Sequence, residues 1–273
     1  MPTTAPPDRA RSGHALITGA SSGIGADIAR EYARRGKPLV LVARREERLR
    51  ALADELGGQV PCTVIASDLA DPAAPAALFA ATSERGIFVD TLVNNAGYGV
   101  PGRFLSADWK THADFLQVLL TSVAELTWRF LPAMEAAGHG RILNVASLAG
   151  LVPPTAGHTL YGATKAWLIR FSETLAEEEK GRGIHVTALC PGMTYTEFHD
   201  VNGMRAKVAK LPKSIWLSSA EVARLGVDAV ESGRRVVVTG RANRMIAGLS
   251  KYLPQPLAAA LIGAKSKDFR DSD

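Results

Sequence analysis

The chain is predicted to fold as a doubly wound α/β domain, a parallel sheet of seven strands flanked by helices. Three observations predict it. Short apolar runs recur along the chain, stretches of helical length separate them, and a glycine-rich turn, Gly19-Ala20-Ser21-Ser22-Gly23-Ile24-Gly25, stands between the first run and the first helix. At 273 residues the chain is long enough to bury one large core.

The first strand is expected over residues 14–18, and an amphipathic helix over 23–35. Residues 38–43 are almost continuously apolar, as expected of a strand covered on both faces by helices. A helix over 46–56, rich in Glu, Arg, Leu and Ala, runs through Gly57 and Gly58 into a third strand over 61–66. The rhythm continues with a helix over 72–84, a strand over 89–94, one long or broken helix over 111–137 and a strand over 141–146. A Gly/Pro-rich loop precedes a helix over 161–181, and strands over 184–189 and 235–239 bracket a helix over 219–232. Such alternation requires right-handed crossovers between parallel strands.

Residues 194–218 break the spacing just past a strand's C-terminal end, where a substrate lid is well placed; the bland alternative is a surface excursion. The domain is expected to span residues 12–240, after a flexible segment over 1–11 and before a helical extension and tail over 241–273. No internal repeat or long linker divides it.

Charge and composition narrow the function. The 32 Lys and Arg against 27 Asp and Glu give +5, but the basic residues are scattered, which argues against a nucleic-acid partner. Cys62 and Cys190 lie in strand-like segments and read as buried thiols in a reducing, cytoplasmic setting. No CxxC or His/Cys cluster suggests a metal. The N-terminal residues do not read as a secretory signal, and no apolar run reaches the roughly 18–20 residues that cross a bilayer. The apolar stretch over 246–262 is interrupted by Lys251, Pro254 and Pro256; packing or oligomer contact is favoured over peripheral membrane contact.

The glycine turn opens a Rossmann-like, dinucleotide-binding half. Glycines permit the tight turn and close approach of backbone to a pyrophosphate, and the helix N-terminus attracts the anion. At the end of the second strand Ala43 supplies no carboxylate for a ribose, whereas Arg44 and Arg45 supply charge for a 2′-phosphate. NADP(H) is therefore preferred to NAD(H), unless Glu46 and Glu47 pair these arginines instead. Asp68-Leu69 and Asn94-Asn95-Ala96-Gly97 follow the third and fourth strands, where cofactor-pocket roles are expected.

Ser147 follows the fifth strand, and Tyr161-Gly162-Ala163-Thr164-Lys165 places a phenol and an ammonium one helical turn apart. A nearby ammonium favours phenolate and is expected to draw the tyrosine towards neutral titration.

These motifs together resemble the classical short-chain dehydrogenase/reductase family over about residues 12–240. The resemblance implies that Gly19, Ser21, Ser22, Gly23 and Gly25 form the phosphate-facing turn, with Ile24 near the nicotinamide. It implies that Arg44, with Arg45, recognises the NADP phosphate, that Asp68 and Leu69 lie by adenine, and that Asn95, Ala96 and Gly97 organise the pocket. Pro191, Gly192 and Thr194 would shape the nicotinamide amide site. Ser147 would hold a carbonyl oxygen, Tyr161 would donate the proton, and Lys165 would bind the ribose and bias the phenol.

Two departures stand out. Counting back from Leu131-Pro132 places Leu119 where many relatives carry an Asn that helps hold a water beside the lysine; Leu lacks both amide hydrogen bonds, so the proton relay uses another group, such as Thr121 or Ser122 if the helix shifts, or is slower. Ser147 and Tyr161 stand 14 positions apart against the commoner 13, one residue that the loop with Pro153, Pro154 and Gly157 can absorb.

The substrate wall is expected from 151–160 and 195–217, with Val152, Pro153, Tyr195, Phe198, Met204 and Trp216 able to bury an apolar ketone or alcohol. His158 and His199 are not required once Tyr161 is present. The resemblance also implies a homodimer or homotetramer through the helices over 111–137 and 161–181, and the tail resembles that of NADP-dependent broad-specificity bacterial reductases. Alternatives are a related epimerase or dehydratase, or a nicotinamide-binding regulator.

Overall fold

The computed structural model describes residues 13–154, 156–157, 159–197 and 215–253. Seven strands form one parallel sheet: β1 (His14–Thr18), β2 (Leu39–Ala43), β3 (Cys62–Ala66), β4 (Val89–Asn94), β5 (Gly140–Val145), β6 (Ile184–Cys190) and β7 (Val236–Val238). Their order is β3-β2-β1-β4-β5-β6-β7. Strand order reverses between β1 and β4, and the crevice beyond the C-terminal ends of these strands is where such sheets bind ligands.

Alternation of side chains along each strand sends them to opposite layers. Ala15, Ile17, Leu39 and Leu41 pack against α1 (Gly23–Arg34), α2 (Glu46–Leu56) and α7 (Ser219–Glu231) through Ile28, Tyr32, Leu49 and Val227. Leu16, Val40 and Leu92 face the other layer, α3 (Ala74–Glu84), α4 (Trp109–Leu116), α5 (Ser122–Ala137) and α6 (Thr159–Glu178), through Leu78, Phe115, Leu126 and Leu175. The doubly wound sheet expected from the sequence is the fold observed.

Boundaries differ in informative ways. The expected helix over 111–137 starts at Trp109, with Asp108 accepting a cap bond from the Thr111 N–H, and is broken by a π-helical turn over Gln117–Thr121. The helix expected from 161 starts at Thr159, so Tyr161 and Lys165 both lie within its first turns. Cys190 is fully buried, but Cys62 is only half-buried because β3 is the sheet edge; both thiols are free.

The irregular stretch over 194–218 begins and ends in a two-residue parallel ribbon, Thr194–Tyr195 with Leu217–Ser218. Its middle, the N-terminal segment over 1–11 and the tail beyond 253 lie outside the described residues. A final helix, α8 (Arg241–Tyr252), leaves β7 through Gly240 at φ +84°. Among the described residues no helix is long and apolar enough to cross a membrane, and no His/Cys/Asp/Glu cluster could hold a metal.

Candidate active site

A cleft of about 1460 Å³ opens at the C-terminal ends of the central strands. One end is built by the glycine turn. Gly19 has φ +66°, and a β-carbon there would lie 2.8 Å from Asn95 Nδ2 and 2.9 Å from Ala96 Cα. At Gly25 it would lie 2.3 Å from the Gly19 carbonyl oxygen, so this glycine packs the start of α1 against the turn.

Asn95 and Thr18 lock that geometry. Asn95 Nδ2 donates to the Thr18 and Gly19 carbonyl oxygens at 2.9 and 3.2 Å. The Thr18 hydroxyl accepts the Asn95 and Ala96 N–H groups at 3.0 and 3.1 Å and donates to Val93 O at 3.2 Å. Ser22, the N-cap of α1, makes no side-chain cap bond. A backbone cradle that no β-carbon could share, below a helix N-terminus without a side-chain cap, fits the pyrophosphate of a dinucleotide.

The cleft is also lined by Arg44, Arg45, Asp68 and Leu69. Asp68 caps its own loop by accepting the Ala70 N–H at 3.0 Å, and Leu69 O accepts the Ser122 hydroxyl at 2.9 Å. Glu46 pairs with Arg50 rather than with the two arginines. Arg45 donates to the hydroxyls of Ser21 at 3.1 Å and Ser22 at 2.9 Å, and its third partner is Glu197 at 3.3 Å. Arg44 is exposed on the cleft wall and makes no ion pair among the described residues.

Ser147, Tyr161 and Lys165 all line the same cleft. Ser147 follows β5 in extended backbone, and its Oγ accepts the Ala149 N–H at 3.1 Å. Lys165 is buried, with Nζ 5.6 Å from the centre of the Tyr161 ring and donating to Val145 O at 2.7 Å. Asn94 Nδ2 donates to Asn144 Oδ1, and Asn144 Nδ2 to the Ser172 hydroxyl, both at 2.9 Å, a buried polar bridge from β4 through β5 that fixes α6.

The electrostatics differ from the expectation for the tyrosine. Burial pushes the Tyr161 phenol up, opposed by the Ser147 hydrogen bond, so the ammonium does not draw it towards neutrality here. Burial likewise pushes Lys165 down to about 8, against the opposing influence of the nearby Cys190 thiol. Cys190 is itself pushed up to about 12 by burial, which leaves it protonated and unreactive.

Comparison with known proteins decides what kind of site this is. A family model described as short chain dehydrogenase matches residues 13–205. The chain belongs to the short-chain dehydrogenase family. A sulfoacetaldehyde reductase of Chromohalobacter salexigens is 41% identical over 188 residues, 67% of this chain and 73% of that protein. A short-chain dehydrogenase from Sphingobium yanoikuyae, solved with NADPH, is 32% identical with TM-score 0.77, covering 93% of this chain and 96% of its own. The bulky-bulky ketone specific alcohol dehydrogenase from Comamonas testosteroni is 29% identical with TM-score 0.73, covering 89% and 95%. This short-chain dehydrogenase is thus an oxidoreductase of carbonyl or alcohol groups.

In this short-chain dehydrogenase Leu119 lies on the π-helical turn, buried in the apolar cluster to which Ala96, Tyr98 and Tyr161 also contribute. Neither proposed substitute reaches the lysine: Thr121 is exposed and Ser122 is committed to Leu69 O. The lysine's hydrogen bond runs instead to β5.

The substrate side only partly matches the sequence reading. Val152 and Pro153 line the cleft, as do Pro191, Gly192 and the buried Thr194. Tyr195 does not: it is 51% exposed and stacks on Trp216 with ring centres 4.7 Å apart, because alternation along the short ribbon turns it away from Thr194. Phe198, Met204, His158 and His199 lie outside the described residues.

Sequence reasoning missed the wall built by α8. Asn243 anchors it, donating to Thr239 O at 2.8 Å and packing where a β-carbon on Gly192 would sit 2.3 Å from its side chain. Ile246, Leu249, Ser250 and Leu253 then line the cleft. Their i, i+3, i+4, i+7 spacing was the available signal.

Proposed function

We propose that this chain is an NADP(H)-dependent reductase of ketones or aldehydes carrying apolar substituents. The observation that carries the reading is that Ser147, Tyr161 and the buried Lys165, its Nζ 5.6 Å from the Tyr161 ring centre, line the same cleft as the glycine turn. Arg44 and Arg45 at the adenosine end, without a ribose-binding carboxylate at Ala43, support NADP(H) over NAD(H), as does the NADPH bound to a solved relative. Val152, Pro153 and the inner face of α8 support the apolar substrate.

When bound, the nicotinamide supplies the hydride to the carbonyl carbon. Ser147 holds the carbonyl oxygen: its Oγ already accepts the Ala149 N–H, which leaves its own proton for the developing oxyanion. Tyr161 delivers its phenolic proton to that oxygen. Lys165, its Nζ 5.6 Å from the phenol ring centre and its side chain lining the cleft, would hold the nicotinamide ribose and bias the phenol. Alcohol oxidation reverses these roles.

The test is NADPH consumption with a panel of carbonyls, compared for wild type and Tyr161→Phe. Loss of about 10²–10⁴-fold in turnover with intact NADPH binding is expected; full turnover with intact binding would reject the assignment. We also propose self-association through α5 and α6, where Trp128 is 70% exposed, to be read from the solution mass.

A further inference from the structure

Glu197 stands two residues past the ribbon strand Thr194–Tyr195 and carries no role in the reading so far. Its carboxylate reaches α2, where its two oxygens accept Arg48 Nη1 at 2.8 and 2.9 Å, and one accepts Arg45 Nη1 at 3.3 Å. The Arg48 hydrogen bond, aided by Arg45 and opposed by burial, holds this carboxyl below its ordinary value, so it is ionised at neutral pH. Arg45 simultaneously grips the Ser21 and Ser22 hydroxyls on the phosphate turn. The preceding Thr196 packs over the turn, 3.2 Å from where a β-carbon on Gly23 would lie.

One carboxylate is therefore bonded into the cationic rim where the proposed cofactor would set its 2′-phosphate. Arg44, Arg45 and Arg48 carry three positive charges, and Glu197 neutralises one of them at hydrogen-bonding distance.

We propose that Glu197 is a specificity-determining residue for the cofactor: it occupies Arg45 and Arg48, so that a 2′-phosphate must compete with it and selection of NADP(H) over NAD(H) is weaker than the arginines alone would give. The inference rests on the NADP(H) reading above. Arg44 is the cation left for the phosphate, and Arg45 acts mainly as a tie between the phosphate turn and Glu197. The side chains of Arg45, Arg48 and Glu197 are 39–46% exposed, so solvent screens the effect and keeps it modest.

The test is equilibrium binding of NADPH and NADH, by calorimetry without substrate, to wild type and Glu197→Gln. The NADPH Kd is expected to fall about three- to tenfold and the NADH Kd to stay within about twofold, with the gain shrinking as salt is added. Weaker NADPH binding would mean that Glu197 prepares Arg45 for the phosphate, and an equal change for both cofactors would mean that it acts through the Ser21–Ser22 turn; either overturns the proposal. In an Arg45→Ala, Arg48→Ala background the effect of Glu197→Gln should vanish, and its persistence would also overturn the proposal. If wild type binds NADH as tightly as NADPH, the cofactor reading fails on its own, while the response of NADPH binding to Glu197→Gln still decides the role of Glu197. Melting temperatures of all variants establish that they fold.

Discussion

Gly150 closes the short turn after Ser147, and its Cα faces the backbone of α6 so closely that no side chain fits. A β-carbon there would lie 2.6 Å from the Lys165 carbonyl carbon, 2.7 Å from the Ala166 nitrogen and 2.8 Å from the Lys165 oxygen. Ordinary contact begins near 3.4 Å, so Gly150→Ala requires the Ser147 turn and α6 to part by nearly 1 Å. All three opposing atoms are backbone, so no rotamer change relieves the clash. Overpacking of this kind costs about 1–3 kcal/mol, and in a domain of this size each kcal/mol lowers Tm by about 2–4 °C. The larger effect falls on chemistry: the parting separates Ser147 from Tyr161 and Lys165, and a misplacement of ~1 Å costs on the order of a hundredfold in rate. Turnover at saturating carbonyl, NADPH affinity and Tm should be measured together. Turnover should drop by about two orders of magnitude while cofactor affinity falls by less than about tenfold, because the phosphate turn on β1 and α1 is untouched and only the proposed ribose contact of Lys165 is disturbed. A variant with wild-type turnover and Tm would refute the claim that this contact sets the catalytic geometry.

Three further substitutions probe other parts of the molecule. Leu119→Asn buries an amide among apolar side chains and should lower stability by about 2–4 kcal/mol in denaturant titration without raising turnover. Ile246→Ala removes apolar surface from the α8 wall and should raise KM for bulky apolar ketones by about tenfold, with NADPH affinity unchanged; equal KM values would show that α8 does not touch substrate. Glu179 is nearly buried, and burial, then the neighbouring Glu135, raises its carboxyl, with Arg182 opposing. Its raised folded-state value means that the native state loses stability as pH rises through the unfolded value of about 4.5 towards the folded one. Glu179→Gln should therefore raise Tm at neutral pH, with the gain fading in acid; a gain that grows on acidification would contradict this.

The parts of the fold legible in the sequence are those set by period and by backbone chemistry. Five apolar residues in Leu39–Ala43 can be buried on both faces only in a parallel sheet between helices, and the glycines at 19, 23 and 25 announce a cradle whose atoms leave no room for Cβ. The closeness of Tyr161 and Lys165 was legible because four residues make about one helical turn. What stayed hidden depends on contacts between segments distant in sequence. Tyr195 looked like a substrate contact until its pairing beside Trp216 turned it outwards. Glu197 and Arg48 are 149 positions apart, and Gly150 matters only because α6 crosses it. The π turn around Leu119 left no mark in an otherwise regular helical pattern.

Spacing alone also cannot say where the proton rests. Tyr161 and Lys165 share a face, and from that fact an ammonium stabilising a phenolate is the natural inference. The fold instead desolvates both groups, which pushes the phenol up and the lysine down to about 8, so at neutral pH the phenol keeps its proton while Lys165 remains mainly an ammonium. Lys165 directs Nζ to the Val145 carbonyl oxygen, while the influence that opposes burial at the phenol comes from the Ser147 hydroxyl, the residue proposed to hold the substrate oxygen. At neutral pH the proton starts on Tyr161, as reduction requires, whereas alcohol oxidation must begin by removing it against the same burial. The desolvation that makes Tyr161 a poor base is what keeps it a loaded acid.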